Sequence, residues 1–542
     1  MVLEASGSSM ASKILNMLVG STDRAKYAAI QGSAWSNNMY YARNVKNEYM
    51  ECVPGLKKLS MTHSTEVCRG SYVSTIGLRS ESANEDMFVV FGNKLYRVLP
   101  SGIRSELGEV APTGRISFAE TGGPRALLLI ADGVNVWSYD LLEGGALRSI
   151  TLPQRINDNS PIQPTHIAVV GGSIVVNDKG SGYCYYSKAY PLASDTRTMF
   201  QMSGGSPVYS ADGTTVLTET VDAFDHVFED DYHVQQYFNT ESSSDNINGI
   251  YAVGPTLYVF GPKTVEIWQR GTGEYEDWVR TSYTSQNSFG LEAPFSLASS
   301  GSVVYFVASG AQYGKCVMMV SGTSFKKISE EWLDDKLLEN PEGNAFGFCY
   351  SVGEHNFYVL QLHGSGETWV YDTLDGGWHQ RSSIGDLGVA VMWRAFSVAY
   401  FHEKFYAFTR DGLVCSFNRD YFMEDYRDGS HKPVLRQRQT GVIVDNLRPF
   451  TFEELAIECN VGSFEDYEQE PTMLLEVSKD GGVTFGKPKS AGLGRPGQYS
   501  HRVRWRNLGM NRKCVIRVTF STPTDLVLNS CSIRAEATQE VI

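Results

Sequence analysis

Several groups of residues in this sequence have the types and spacing that chemistry needs. Ser478-Lys-Asp-Gly-Gly-Val-Thr-Phe485 fits the pattern Ser-x-Asp-x-Gly-x-Thr followed by an aromatic. Its chemistry is local. Asp480 can accept from backbone N–H groups of its own turn, glycine at 482 supplies a positive φ, and the aromatic packs beneath. Ser478, Asp480, Gly482, Thr484 and Phe485 therefore read as a hairpin clamp and not as an active site. His226 and His233 lie beside the acids of Asp222–Asp231. Imidazole with carboxylate is a metal donor set, but the same residues make a solvated acidic face, and no metal is expected. Glu330/Glu331 and Asp334/Asp335 are neighbours on a helix pattern, so each pair diverges instead of forming an acid/base couple. Cys184 offers a nucleophile but sits in a strand-core context. Arg502, Arg504 and Arg506 alternate with Val503 and Trp505. On a strand the three arginines share one face, either solvated or set against an acidic protein partner or DNA phosphate. No Walker A loop, HExxH or GxSxG is present, and the glycines of Gly301–Gly314 lack a following Lys-Ser/Thr. No catalytic residue and no cofactor is expected.

The elements that must position these groups are β-strands. Thr368-Trp-Val-Tyr-Asp372 runs into a turn, and a second strand begins at Trp378. This is the outer hairpin of a propeller blade: Tyr371 and Trp378 pack the blade, Asp372 and Gly376–Gly377 shape the turn, and His379 is exposed. Similar units begin near Phe88, Leu127, Ile167, Gly249, Val303, Phe346 and Ser397, at steps of about 40 to 50 residues. Each is too small to bury its own faces, so stacking around an axis is the natural solution. The expected fold is mainly β: a propeller of six or seven blades, with an N-terminal arm and a C-terminal β-sandwich domain. The step from Ile167 to Gly249 is about double the others. Residues 196–234 within it read as an insertion that docks a partner, or else as a blade with obscured strands.

The ends differ from the middle. Residues 1–60 read as an extended arm with one helix-like stretch, Ser12–Leu18. The propeller is expected over 61–440, its end marked by a charged connector, Asn418–Gln439. From 441 to 542 the pattern becomes long alternating strands, among them Leu455–Val461, Met473–Ser478, Tyr499–Trp505, Cys514–Ser521 and Leu526–Ala535. That is the sandwich.

Composition bounds the function. The chain has 542 residues, 12% of them aromatic, and Gly is high at 52. Aromatics favour strands and glycines punctuate turns. With 47 Lys and Arg against 61 Asp and Glu, the net charge is −14. Such a chain is a poor generic DNA binder but can line a passage through which DNA slides without sticking. The nine cysteines are scattered, odd in number and without a CxxC pair, which points to buried thiols in a reducing compartment. No secretory signal or membrane-spanning run is seen.

At this point the wording of the hairpin carries a resemblance. Thr368–Asp372 through Trp378-His379 resembles a hallmark of the packaged-DNA stabilisation proteins, or tail hub (nozzle) proteins, of short-tailed phages (podoviruses). Other stretches agree in order: Asn37–Tyr41 with Val53-Pro-Gly-Leu56, Gly92–Arg97, Leu257–Gly261 with Val265–Trp268, Lys327–Ser329, Glu331–Leu338, and Leu475–Phe485 continuing to Gly497–Trp505. The likeness covers about residues 20 to 535. Residues 196–234 are longer than the family pattern. The resemblance implies a non-enzymatic virion protein made in the host bacterial cytoplasm and built into the tail. It implies a ring homo-oligomer, usually a hexamer, that extends the portal channel, retains packaged DNA and serves genome ejection. Its implied partners are the portal-adaptor ring, a tail fibre or spike, a tail plug or needle, and double-stranded DNA passing without sequence-specific binding. The alternatives are a receptor- or glycan-binding propeller of a host-adhesion device, and a sialidase-like hydrolase.

Overall fold

The computed structural model describes residue 18 and residues 34–537, apart from 44–47, 60–65, 77–84, 100–103, 124, 241–245, 272–277, 284–288, 312, 342, 445–448, 462–470 and 495–500. The helix-like stretch at 12–17 and the strand start at 499–500 lie outside the described residues. Within them, seven antiparallel blades circle one axis. Blade 1 is Cys68–Ser74, Asp86–Phe91, Lys94–Val98 and Arg104–Glu109. The innermost strands of blades 2 to 7 are Ser117–Glu120, Ile167–Val170, Gly249–Val253, Ala298–Ser300, Ala345–Val352 and Ala395–Phe401.

The two-residue period of a strand explains why the blades stack. All of Asp86–Phe91 is buried. Phe88 and Val90 face blade 2, where they meet Leu128, Ile130 and Tyr139. Met87, Val89 and Phe91 face the other way and meet Phe396, Phe401 and Phe408 of blade 7. Every neighbouring pair of blades shares such a core, so no blade is stable alone.

The ring closes without a covalent link. Blade 7 has three strands from its own stretch: Ala395–Phe401, Lys404–Thr409 and Val414–Ser416. Its outer strand is Lys57–Lys58, which pairs with Ser416 and Cys415. The last blade is thus completed by residues that precede the first.

The N-terminal arm also ties the propeller to the sandwich. Trp35–Asn37 pairs in parallel with Trp378–Ile384 of blade 6, at Asn37 and Gln380, and antiparallel with Arg436–Gln439. Arg436–Gln439 pairs in turn with Lys513–Phe520 of the sandwich. One hydrogen-bonded sheet therefore runs from blade 6 into the C-terminal unit. The facing sheet takes Met39–Arg43 and Glu48–Cys52 from the arm beside Leu526–Ala537, Phe450–Val461 and His501–Asn511. Met39, Met50 and Cys52 of the arm share a core with Leu455, Ile516 and Ile533.

Between the third strand of blade 3, Tyr183–Ala189, and its outer strand, Tyr237–Asn239, the chain makes a two-stranded ribbon of Thr196–Phe200 with Thr218–Asp222. A short 3-10 helix, Ala223–Asp225, follows it. Ala223, Phe224, Val227 and Phe228 anchor the ribbon in the core between blades 2 and 3.

Candidate functional site

The blade 6 hairpin is a structural joint. Tyr371 and Trp378 are cross-strand partners with ring centroids 5.3 Å apart. Trp378 is buried and its Nε1 donates to the carbonyl of Ile328 in blade 5 at 2.9 Å. Asp372 accepts from the Leu374 amide at 2.9 Å and pairs with His355 Nδ1 at 2.6 Å. Gly376 holds φ at +71°, where a side chain would be strained. Asp375 accepts from the Gly377 amide at 2.8 Å, and burial raises its carboxyl to about 6.

One expectation fails here. His379 is buried, not exposed. An outer blade strand normally turns one face to solvent, but the arm covers this one. Tyr40 lies over the imidazole and Phe357 meets it edge-on at 5.7 Å. Burial lowers its pKa to about 4, so the ring is neutral at pH 7.

The Ser478–Phe485 motif ties off a turn after the strand Thr472–Ser478. Asp480 accepts from the amides of Val483 and Thr484 at 2.9 and 3.0 Å, and from Ser478 Oγ at 2.6 Å and Thr484 Oγ1 at 2.5 Å. These donors, led by Ser478, hold its carboxyl well below the usual range. The Gly482 amide donates to Ser478 Oγ at 2.7 Å, and its φ is +101°. Phe485 is half-buried under the Arg517 guanidinium, 3.8 Å from the ring centre. The two motifs stand in different units and do not converge.

The other candidates are absorbed by structure. Glu330 accepts from Trp332 Nε1 at 2.9 Å, and Asp334 accepts from Ser329 Oγ at 2.5 Å. Cys184 is fully buried, and burial beside Glu266 pushes its thiol upward, away from the reactive thiolate. Arg502, Arg504 and Arg506 are exposed while Val503 and Trp505 are buried. On the neighbouring strand Glu458 stands opposite Arg502, and Glu454 opposite Arg506 with a contact of 2.9 Å. His226 and His233 do come together, around Glu229.

Two features had no sequence signal. The first is a cavity of 1090 Å³ on the propeller axis, lined by the inner strand of every blade. Its wall is braced between blades by Ser71 and Ser397 Oγ atoms 2.7 Å apart, and by Tyr251 Oη and Ser299 Oγ 2.9 Å apart. The second is the junction beneath the arm. Asn37 Nδ2 donates to Ser382 Oγ at 2.8 Å, and Arg438 Nε donates to the Leu18 carbonyl at 2.9 Å. Arg381 donates to Tyr350 Oη and lies against the rings of Phe357 and Trp393. Burial lowers its pKa to about 9.

The fold and these sites define a class: a seven-bladed β-propeller bonded through a shared sheet to a β-sandwich, with its motif residues holding turns and blade interfaces together. Residues 34–407 match the family described as Bacteriophage P22 Gp10, beta-propeller, and residues 435–536 match Bacteriophage P22 Gp10, beta-sandwich. The chain belongs to the Bacteriophage P22 Gp10 family, the stabilisation or tail hub proteins of short-tailed phages, and is a structural protein of the phage tail. No curated protein matches the chain. Solved structures with some likeness include a nidogen/laminin complex (12% identity, 57% of this chain and 92% of that one, TM-score 0.29). YCF48 from Cyanidioschyzon merolae is similar at 11% identity over 68% of this chain and 99% of that one, with a TM-score of 0.35. A gluconolactonase from Xanthomonas campestris shows 10% identity over 76% and 98%, with a TM-score of 0.30. These likenesses are too slight to carry any function to this chain.

Proposed function

We propose that this chain is a non-enzymatic tail hub that forms a ring, six copies in number, below the portal and its adaptor. The ring extends the DNA channel, retains packaged DNA and offers attachment to tail fibres or spikes and to a plug or needle. The protein is made in the host bacterial cytoplasm and acts in the virion. The family match across both units carries this reading. The arm supports it physically, because a shared sheet lets propeller and sandwich transmit load as one piece.

The axial cavity bears on where DNA would run. At 1090 Å³ it lies just above the range of small-molecule pockets, about 300–1,000 Å³, and is too small for a duplex. DNA therefore passes between copies in the ring and not through a single propeller. The net charge of −14 suits that lumen, since repulsion prevents strong phosphate contacts.

The test is electron microscopy of the purified protein, alone and with its adaptor ring. A six-fold ring with an open centre, each copy showing a propeller, is the expected image. Particles that never form a ring, with or without adaptor, rule the hub out and favour a free adhesion module.

A further inference from the structure

We propose that His226, Glu229 and His233 bind a divalent transition-metal ion, zinc by preference, at the base of the blade 3 insertion. Nothing in this inference depends on the role in the tail.

Two imidazoles converge on one carboxylate. His226 Nδ1 is 2.8 Å from Glu229 Oε2, and His233 Nδ1 is 3.5 Å from the same oxygen. One ligand atom from each residue lies within 4.8 Å of the other two, and this is the one such group of three among the described residues. Ligands about 2.0–2.1 Å from a tetrahedral zinc stand roughly 3.4 Å from each other, so the shell closes with side-chain adjustments of about an ångström.

The far side of His233 supplies an independent sign. Its Nε2 is buried and has no hydrogen-bond partner, although Glu219 Oε1 stands 3.3 Å away. A neutral imidazole carries one N–H only. Between Glu229 on one nitrogen and Glu219 on the other, a neutral His233 must turn a lone pair toward a carboxylate. A metal on Nδ1 removes the conflict, because the proton then sits on Nε2 facing Glu219. Metal-bound histidines are oriented in this way, with the second N–H held by a carboxylate. A proton on His233 relieves the same conflict without metal, and direct metal measurement separates the two cases.

The donors are also held in place by the backbone. Arg197 Nη1 donates to the carbonyls of His226 at 2.7 Å and Glu229 at 3.2 Å. Asp230 Oδ1 accepts from the amides of Tyr232 and Val234 at 2.8 and 3.0 Å. The turn is thus formed before an ion arrives. Imidazole with carboxylate suits zinc better than calcium or magnesium, which take all-oxygen shells. Three protein ligands leave a fourth position for water. Through Glu219 the ion would fasten the turn to the ribbon strand Thr218–Asp222, and so stiffen the ribbon against the blade.

The full-length protein, stripped with chelator and dialysed, is titrated with zinc and separately with cobalt. The expected result is about one zinc per chain, a visible cobalt ligand-field band, and a raised unfolding temperature. His226→Gln and His233→Gln each abolish the band while circular dichroism stays unchanged, and Glu219→Gln weakens binding about 10-fold or more. His431→Gln, in the hairpin of Met423–Asp425 with His431–Pro433 and outside the donor group, leaves binding intact. X-ray absorption of the wild-type zinc complex keeps the test independent of variant folding, and shows imidazole and oxygen ligands. No retained zinc and no cobalt band in the wild-type protein overturn the proposal. Sulfur scattering from one of the free thiols, or binding unchanged in the double His variant, overturns it equally.

Discussion

Asn38 and Ser382 exchange hydrogen bonds across 344 positions of chain. Asn38 Nδ2 donates to the Ser382 carbonyl at 2.9 Å, and Asn38 Oδ1 accepts from the Ser382 amide at 3.0 Å. The side-chain amide acts as one more rung of the sheet, where the backbone of Asn38 turns away with φ of +55°. Its Nδ2 also donates to the Leu435 carbonyl at 2.8 Å, so one residue joins the arm, blade 6 and the approach to the sandwich. Asn38→Ala leaves buried partners unpaired and is expected to destabilise the protein by about 2–4 kcal/mol. Chemical denaturation should show the loss. If Asn38→Ala unfolds at the wild-type midpoint, the joint is not bearing on stability.

Trp378 tests the blade 5 to blade 6 interface. Trp378→Ala leaves a cavity among Tyr371, Tyr358 and Ile328 and is expected to cost about 3–5 kcal/mol. Trp378→Phe keeps most of the packing, loses the hydrogen bond to Ile328, and leaves that carbonyl without this donor at a cost of about 1–3 kcal/mol. Equal losses in the two variants would contradict this division.

Glu424 makes stability depend on pH. It is buried, and desolvation raises its carboxyl from 4.5 to about 7, against the opposing hydrogen bond from Ser383 Oγ and the nearby Arg394; Asp411 adds to the rise. The native state therefore holds a proton that the unfolded chain has released. This contribution is complete below pH 4.5 and is lost as pH rises through 7. Glu424→Gln keeps an acceptor for Ser383 and removes the titration. Relative to that variant, wild-type stability should fall by up to about 3 kcal/mol between pH 5 and 8. A parallel pH profile for the two proteins would refute the assignment.

His379 works in the opposite sense. Its pKa is lowered to about 4, so its contribution is present above pH 6.5 and is lost as pH falls toward 4. His379→Gln should flatten the acid limb of the stability profile. The measurement is thermal unfolding from pH 4 to 7, and an unchanged acid limb counts against a buried neutral ring.

Asp480 should matter locally and not globally. Asp480→Ala removes the acceptor of the Val483 and Thr484 amides. Hydrogen exchange at those amides should quicken while the global unfolding midpoint barely moves. A large drop in the midpoint would show the turn to be part of the sandwich core.

What residue order determines alone follows from local periodicity. Alternating apolar strands and glycine turns mark the hairpins of every blade, and the long amphipathic runs after 440 mark the sandwich. Trp378 and Tyr371 declare a packed hairpin because two large aromatics across one turn have few other uses. The inner strands of blades 1, 2 and 5 are hard to read, since Arg69-Gly-Ser71, Ser117–Glu120 and Ala298–Ser300 consist, Phe118 apart, of small and polar residues. Lys57–Lys58 has no strand signature at all, yet it closes the ring, because its place is defined by a partner more than three hundred residues away. The same reason explains His379: only the arm folded across blade 6 decides that its face is covered. It also explains the His226–Glu229–His233 group, where the sequence shows donors in one acidic run and the turn alone aims them at one point. Local pattern specified the pieces. The long-range pairings, which no window of sequence contains, specified which faces are buried and which side chains meet.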